Sequence, residues 1–137
     1  MTELTVQPMV LKDLDLLIGA GTPDDFGAHV STCKFTPSAS TVQFVGGKSN
    51  AFTDVTTPTW VCELTYAQDW KSANSLSRYL YLHEGEHVPV IFKPVDGGPE
   101  FESVLIITPG AIGGDVNAVS TASVTLGLEG KPELVAA

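Results

Sequence analysis

Apolar and polar residues alternate with a period of two along most of this chain, which is the signature of half-buried β-strands. In residues 9–18 (M-V-L-K-D-L-D-L-L-I), Lys12, Leu14, Leu16 and Ile18 fall on one side, and Leu11, Asp13, Asp15 and Leu17 on the other. Residues 28–36 set Val30, Thr32 and Lys34 against Ser31, Cys33 and Phe35, and T-V-Q-F-V at 41–45 is a further short strand. The clearest alternation is 59–67, where Trp60, Cys62, Leu64 and Tyr66 oppose Val61, Glu63 and Thr65. Residues 87–95 place Val88, Val90 and Phe92 on one face. Pro89 and Pro94 lack N–H donors and predict an edge or irregular strand there. Segments 100–108 and 116–126 complete seven predicted strands, separated by turn clusters such as G-A-G-T-P-D-D at 19–25 and D-G-G-P at 96–99.

One segment follows a different period. Leu76, Tyr79, Leu80 and His83 recur at i, i+3, i+4 and i+7, which predicts a helix over 74–84 with one buried stripe. Asn74 or Ser75 can cap it, and Gly85 supplies the left-handed residue that commonly ends a helix. The predicted fold is therefore mainly β, a β-sandwich or barrel-like domain carrying one α-helix. Residues 1–8 read as an N-terminal arm, 9–132 as a single domain and 133–137 as a polar tail. Within the domain, 46–57 reads as a long polar loop. Phe52 is stranded in it, which predicts packing against another chain.

Composition agrees with this reading. The 137 residues suit one domain, and 15 Val and 14 Thr outweigh 7 Lys plus Arg, a bias that favours pleated sheet. Charged residues are 17%, against roughly 25% in an average globular chain, which argues against disorder or a coiled coil. The formal charge of −9 argues against gripping nucleic acid, because phosphates are held mainly by Lys and Arg. The first residues show no basic-then-apolar pattern, so no export signal is expected, and no apolar run approaches a membrane span. Cys33 and Cys62 each lie in a strand-like segment without metal-ligand spacing. Two buried reduced thiols are expected, the alternative being a disulfide between neighbouring strands.

Three patterns touch on chemistry. His83-Glu84-Gly85-Glu86-His87 is a literal H-E-x-x-H, which binds zinc only if one helix carries both imidazoles on one face. Gly85 in its middle and Pro89 just after it predict instead that the helix ends and the rings diverge. No catalytic role, cofactor or metal is expected. G-G-K-S at 46–49 resembles the end of a phosphate loop, but Val42 stands where the pattern needs glycine and no helix follows. The carboxylate pairs Asp13/Asp15 and Glu100/Glu102 sit two apart on predicted strands, so each pair shares a face: a solvated surface, or an acidic lining.

The order of these features resembles the tail tube (major tail) proteins of long-tailed bacteriophages. The likeness runs over about residues 9–132. It is carried by W-V-C-E-L-T-Y at 60–66, D-W-x-x-x-x-S-L-x-x-Y-L at 69–80 and F-E-S-V-L-I-I-T-P-G at 101–110. Its most specific part is 113–132, where a Gly-Gly loop leads into a Ser/Thr-Val strand and a G-K-P. The resemblance implies subunits that join into rings, with hexamers expected, whose inner strands form a shared barrel. The rings stack into a tube around a tape-measure protein, ended by terminator and distal tail proteins. It implies a virion component assembled in the host bacterial cytoplasm, through which DNA passes without specific binding and without a membrane. Lys48, Asn50 and Phe52 are then expected at ring-to-ring contacts, with the arm 1–8 a second candidate. Asp13, Asp15, Glu100 and Glu102 are expected to line the lumen, and Leu76, Tyr79 and Leu80 to pack the helix. Six chains at −9 apiece would place −54 formal charges in a ring, and such a lumen repels phosphates. Other readings are the tube protein of a contractile injection device, a monomeric β-sandwich binding or capsid-decoration module, and a small zinc hydrolase using His83, Glu84 and His87.

Overall fold

The computed structural model describes residues 2–135. Its strands are β1 (Asp15–Ile18), β2 (Asp24–Asp25), β3 (Val30–Ser38), β4 (Thr41–Val45), β5 (Ala51–Val55) and β6 (Thr59–Ala67), followed by helix α1 (Leu76–Leu82). Then come β7 (His87–Lys93), β8 (Glu100–Ile106), β9 (Thr121–Leu128) and β10 (Glu133–Val135). Seven strands form one antiparallel sheet in the order β2-β1-β7-β8-β9-β6-β3, with β10 beside β8, while β4 and β5 pair only with each other. The chain is mainly β with one helix, as its periodicity predicts.

All the inward-facing rows belong to one core. Leu16 and Ile18 on β1, Val90 on β7, Leu105 on β8, Leu126 on β9, and Cys62 and Leu64 on β6 are almost completely buried. A flat sheet cannot bury one face by itself, and the helix is only seven residues long. The sheet instead folds over, so that its two halves face each other. Phe35 on β3 and Phe92 on β7 have three strands between them in the sheet order, yet their ring centroids are 5.3 Å apart. The break that permits this lies at β8. Its last residues pair with β9 through Leu105↔Leu128 and Ile106↔Gly127, whereas its first residues pair with β10 through Glu102↔Glu133 and Glu100↔Val135.

Helix α1 closes one end. Ser75 caps it: the backbone there is extended, and its hydroxyl accepts from the Arg78 N–H at 3.3 Å. Asn74 does not serve. The Leu76 N–H donates to His29 Nδ1 at 3.4 Å, so a side chain from outside the helix satisfies a second orphan donor. Leu76 and Leu80 are fully buried, and Tyr79 is half-buried against Phe26. His83 is the C-cap, and Gly85 with φ +82° turns the chain into β7. Near this end Gly110 is required by close approach: any Cβ there would collide with the Tyr66 hydroxyl.

Several predicted boundaries shift. The helix is shorter than 74–84 at both ends. The strand expected from residue 9 begins at Asp15, because Asp13 adopts φ +52° and breaks the extended run. Residues 116–120 form no strand; β9 begins at Thr121, and Asn117 with φ +64° marks the turn before it. The short β2 is not visible in the alternation. Residues 133–135 of the expected tail form β10, while 136 and 137, like residue 1 of the arm, lie outside the described residues.

The helix packing generates a prediction. Leu80→Ala removes a fully buried side chain and is expected to destabilise the subunit by about 2–5 kcal/mol in urea unfolding. An unchanged midpoint would mean that α1 contributes nothing to the core.

Candidate assembly surfaces

The H-E-x-x-H residues are split between elements. His83 ends the helix and its Nδ1 lies 2.9 Å from Glu86 Oε2, while His87 begins β7 and its Nδ1 lies 2.8 Å from Glu129 Oε1. The two imidazoles serve separate carboxylates, so the one-helix condition for zinc fails. Among the described residues no group of three His, Cys, Asp or Glu side chains is arranged to hold a metal, and no helix is long and apolar enough to cross a membrane.

Cys33 and Cys62 are free and buried on the core side of β3 and β6. The register sets Cys33 opposite Leu64 and Phe35 opposite Cys62, so the thiols are diagonal neighbours. The Cys33 thiol beside it, followed by burial, holds the Cys62 thiol far above the ordinary range, so it stays protonated.

The outward side of the sheet mixes carboxylates with half-buried apolar residues on its β1–β8 half and is largely polar on its β9–β3 half. Residues opposite each other in a ladder share a face, and the pairs Leu17↔Ile91, Ile91↔Glu102 and Glu102↔Glu133 carry one row across four strands. Glu100 lies on the same face two residues from Glu102, and both are half-buried. Asp15 also lies there, opposite Lys93. On the other half of the sheet, Glu63 stands opposite both Lys34 and Thr125. Hydroxyls fill the gaps. Thr36 Oγ1 donates to Glu63 Oε2 at 2.8 Å, and the Thr65 and Ser123 hydroxyls are 2.9 Å apart. Five carboxylates (Asp15, Asp25, Glu100, Glu102 and Glu133) thus lie with Lys93 on the outward side of one half of the sheet, and Glu63 lies with Lys34 on the outward side of the other half.

The expected acidic set changes accordingly. Asp13 lies outside β1 with a left-handed backbone, so it does not share a strand face with Asp15. Glu63 and Glu133 lie on the outward side although sequence reasoning passed over them. The strict alternation around Glu63 carried that signal, but Glu133 required knowing that the tail pairs with β8. Asp15 is not at ease there. Burial, and after it the neighbouring Asp25 carboxylate, raises its pKa above the usual aspartate value, and Lys93 only partly offsets this. Asp25 Oδ1 is itself occupied, accepting from the Gly27 N–H at 2.8 Å and the Leu16 N–H at 3.2 Å.

The segment expected as a loop over 46–57 is instead half of a β-hairpin. β4 and β5 pair from Thr41↔Val55 to Val45↔Ala51, and only the residues between them form the turn. Lys48 and Asn50 lie in that turn, closed by the Gly46 N–H donating to the Asn50 carbonyl at 2.7 Å, and Ser49 takes φ +65°. Phe52 lies in β5, directly opposite Phe44. The alternation does not reveal this strand because β5 buries no residue, so neither face shows a core pattern. The hairpin is apolar yet uncovered: Phe44 is 64% exposed, Phe52 60% and Val55 63%. Such side chains placed together on a projecting arm mark an interaction surface. The arm is stiffened at its base, where the Thr56 N–H donates to the Ser40 carbonyl and the Ser40 N–H to Thr56 Oγ1, both at 2.8 Å.

An acid-range prediction follows from Asp15. A carboxyl whose folded pKa is raised penalises the fold once ionised, and the penalty is absent below its unfolded value near 3.8. Asp15→Asn is therefore expected to raise the melting temperature at pH 7. The gain should fade as the pH falls through the elevated value and vanish below 3.8. An equal gain at pH 3 and pH 7 would remove the electrostatic explanation.

No family model matches the chain, and no curated protein matches it. Solved structures do. One is a chain of the structure described as the tail of an empty gene transfer agent (GTA) particle, computed with helical refinement and C6 symmetry. It is 15% identical, with a TM-score of 0.63 over 89% of this chain and 96% of that one. A chain from the virion of the native gene transfer agent particle is 14% identical, with a TM-score of 0.58 over the same shares. This chain has, over 89% of its length, the fold of these gene transfer agent chains.

Proposed function

We propose that this chain is a structural subunit of a phage-type tail, without catalytic activity, that self-assembles into rings stacked as a tube. The observation that carries the reading is the near-complete match to a chain of a tail with C6 symmetry. The hairpin and the carboxylate-bearing sheet face supply independent physical support. Stacking needs a contact that each subunit both gives and receives, and an exposed apolar arm is suited to giving it. A conduit for DNA needs a wall that does not hold phosphate, and the outward side of the β1–β8 half, with five carboxylates against Lys93, is suited to lining it.

In this reading β3, a nine-residue strand at the sheet edge, is the natural lateral contact, because an open edge is a template for pairing unless a neighbour closes it. Hexameric rings, a shared inner barrel, and a tape-measure protein, terminator and distal tail proteins as partners complete the proposal. The virion tail is the site of function, and assembly takes place in the bacterial cytoplasm. A contractile injection device would use the same subunit architecture, and a companion sheath protein in the particle would distinguish it.

Light scattering with negative-stain microscopy over a concentration series tests the reading. Rings or tubes with a central channel are expected. A monomer at every concentration would favour the binding or capsid-decoration module instead. Phe52→Ser is expected to leave the melting temperature of the subunit unchanged, because the side chain is exposed, and to weaken stacking. Unchanged assembly would take Phe52 out of the contact.

A further inference from the structure

Besides the hairpin, the fold leaves one large apolar feature uncovered. A groove of about 530 Å³ opens between the two halves of the sheet, lined by Phe35, Trp60, Phe92, Pro94, Phe101 and Leu134. Its volume is that of an ordinary ligand pocket, but it contains no convergent set of polar groups that would orient a small molecule. Its only charged lining residues are Lys34 and Lys131. The groove is thus apolar with a positive border.

One surface of the same chain has the complementary character. In the β4–β5 ladder, Phe44↔Phe52 and Val42↔Asp54 are alternate pairs, so Val42, Phe44, Phe52 and Asp54 share a face. That face has two aromatic rings, a valine and a single negative charge. All four residues are exposed. The other hairpin face, with Thr41, Gln43, Val45, Ala51, Thr53 and Val55, carries neither an aromatic ring nor a charge.

We infer that the Trp60–Phe101 groove receives the Phe44/Phe52 face of the hairpin from a second copy of this chain, with Asp54 set against Lys131. In the structure the hairpin does not fill its own groove: no β4 or β5 residue lines it, and the base of the arm is pinned by the two Ser40–Thr56 hydrogen bonds. Donor and acceptor are different patches of one chain, so the contact is head-to-tail and extends from copy to copy. The inference rests on the self-assembly reading and names the surface that the hairpin meets.

Sedimentation velocity over a concentration series tests it on the full chain. Phe52→Asp damages the donor, and Leu134→Asp damages the acceptor at a position that is itself 63% exposed. Each is expected to raise the concentration needed for association at least tenfold. An equimolar mixture of the two should form pairs that neither forms alone, because one intact donor and one intact acceptor remain. Asp54→Lys and Lys131→Glu, both at exposed positions, guard against misfolding as the cause. Each alone weakens association, and the double variant restores it to within about threefold of the wild type, as a direct charge pair requires. If Leu134→Asp and Lys131→Glu associate like the wild type while Phe52→Asp does not, the hairpin docks elsewhere: the inference falls and the assembly reading stands. If the wild type stays at the mass of one subunit throughout, both fall. If deleting residues 2–8 abolishes association while Phe52→Asp preserves it, the groove belongs to the N-terminal segment, whose neighbours Met9 and Leu11 also line it, and the proposal is overturned.

Discussion

The structure depends on the need to bury one face of a single sheet with almost nothing to cover it. The only helix is seven residues long and closes one end. The sheet must therefore cover itself. It does so by parting at β8, where the ladder to β9 holds only two residue pairs and β10 takes over the remainder. The meeting of Phe35 with Phe92 across the fold records the result. Apolar burial supplies the driving force, and the break in the ladder supplies the geometry.

The same constraint shapes the two surfaces proposed for assembly. Once every inward row is committed to the core, the alternation of a strand forces every other residue outward. On one half of the sheet the outward rows carry Asp15, Asp25, Glu100, Glu102 and Glu133 among half-buried Leu17 and Ile91, and on the other half Glu63 with threonine and serine hydroxyls. The fold-over does not close fully at the end carrying Trp60, Phe92 and Phe101, and an apolar groove remains. Next to it the chain leaves the sheet as the β4–β5 arm, whose strands bury nothing within the subunit. A hairpin standing alone is marginal in water. In the proposed assembly its apolar face and the groove are two halves of one packing problem that a second copy resolves.

This arrangement explains why catalytic patterns in the chain lead nowhere. The H-E-x-x-H spacing is genuine, but Gly85 takes a left-handed backbone within it and passes the chain from helix to strand. Each histidine then meets its own glutamate. Glycine at a helix end is a property of the turn, and it outweighs a spacing that has meaning only inside a helix.

The sequence by itself determined the class of the fold, the one helix and its buried stripe, and the strands with strict alternation, because periodicity reports directly on a face that is buried. Trp60 through Tyr66 and Leu76 through Leu80 are legible for that reason. It also determined that an aromatic at position 52 had no core to enter. Only the tertiary structure decided that Phe52 sits in a strand opposite Phe44, since a hairpin exposed on both faces leaves no alternation to read. Tertiary structure likewise moved Asp13 off the acidic face and brought Glu133 onto it. The first depends on a backbone reversal at a non-glycine residue, and the second on pairing between segments about thirty residues apart. The groove is the clearest case. Its walls come from β3, β6, β7, β8 and the C-terminal segment, and such a surface exists only after the sheet has folded over.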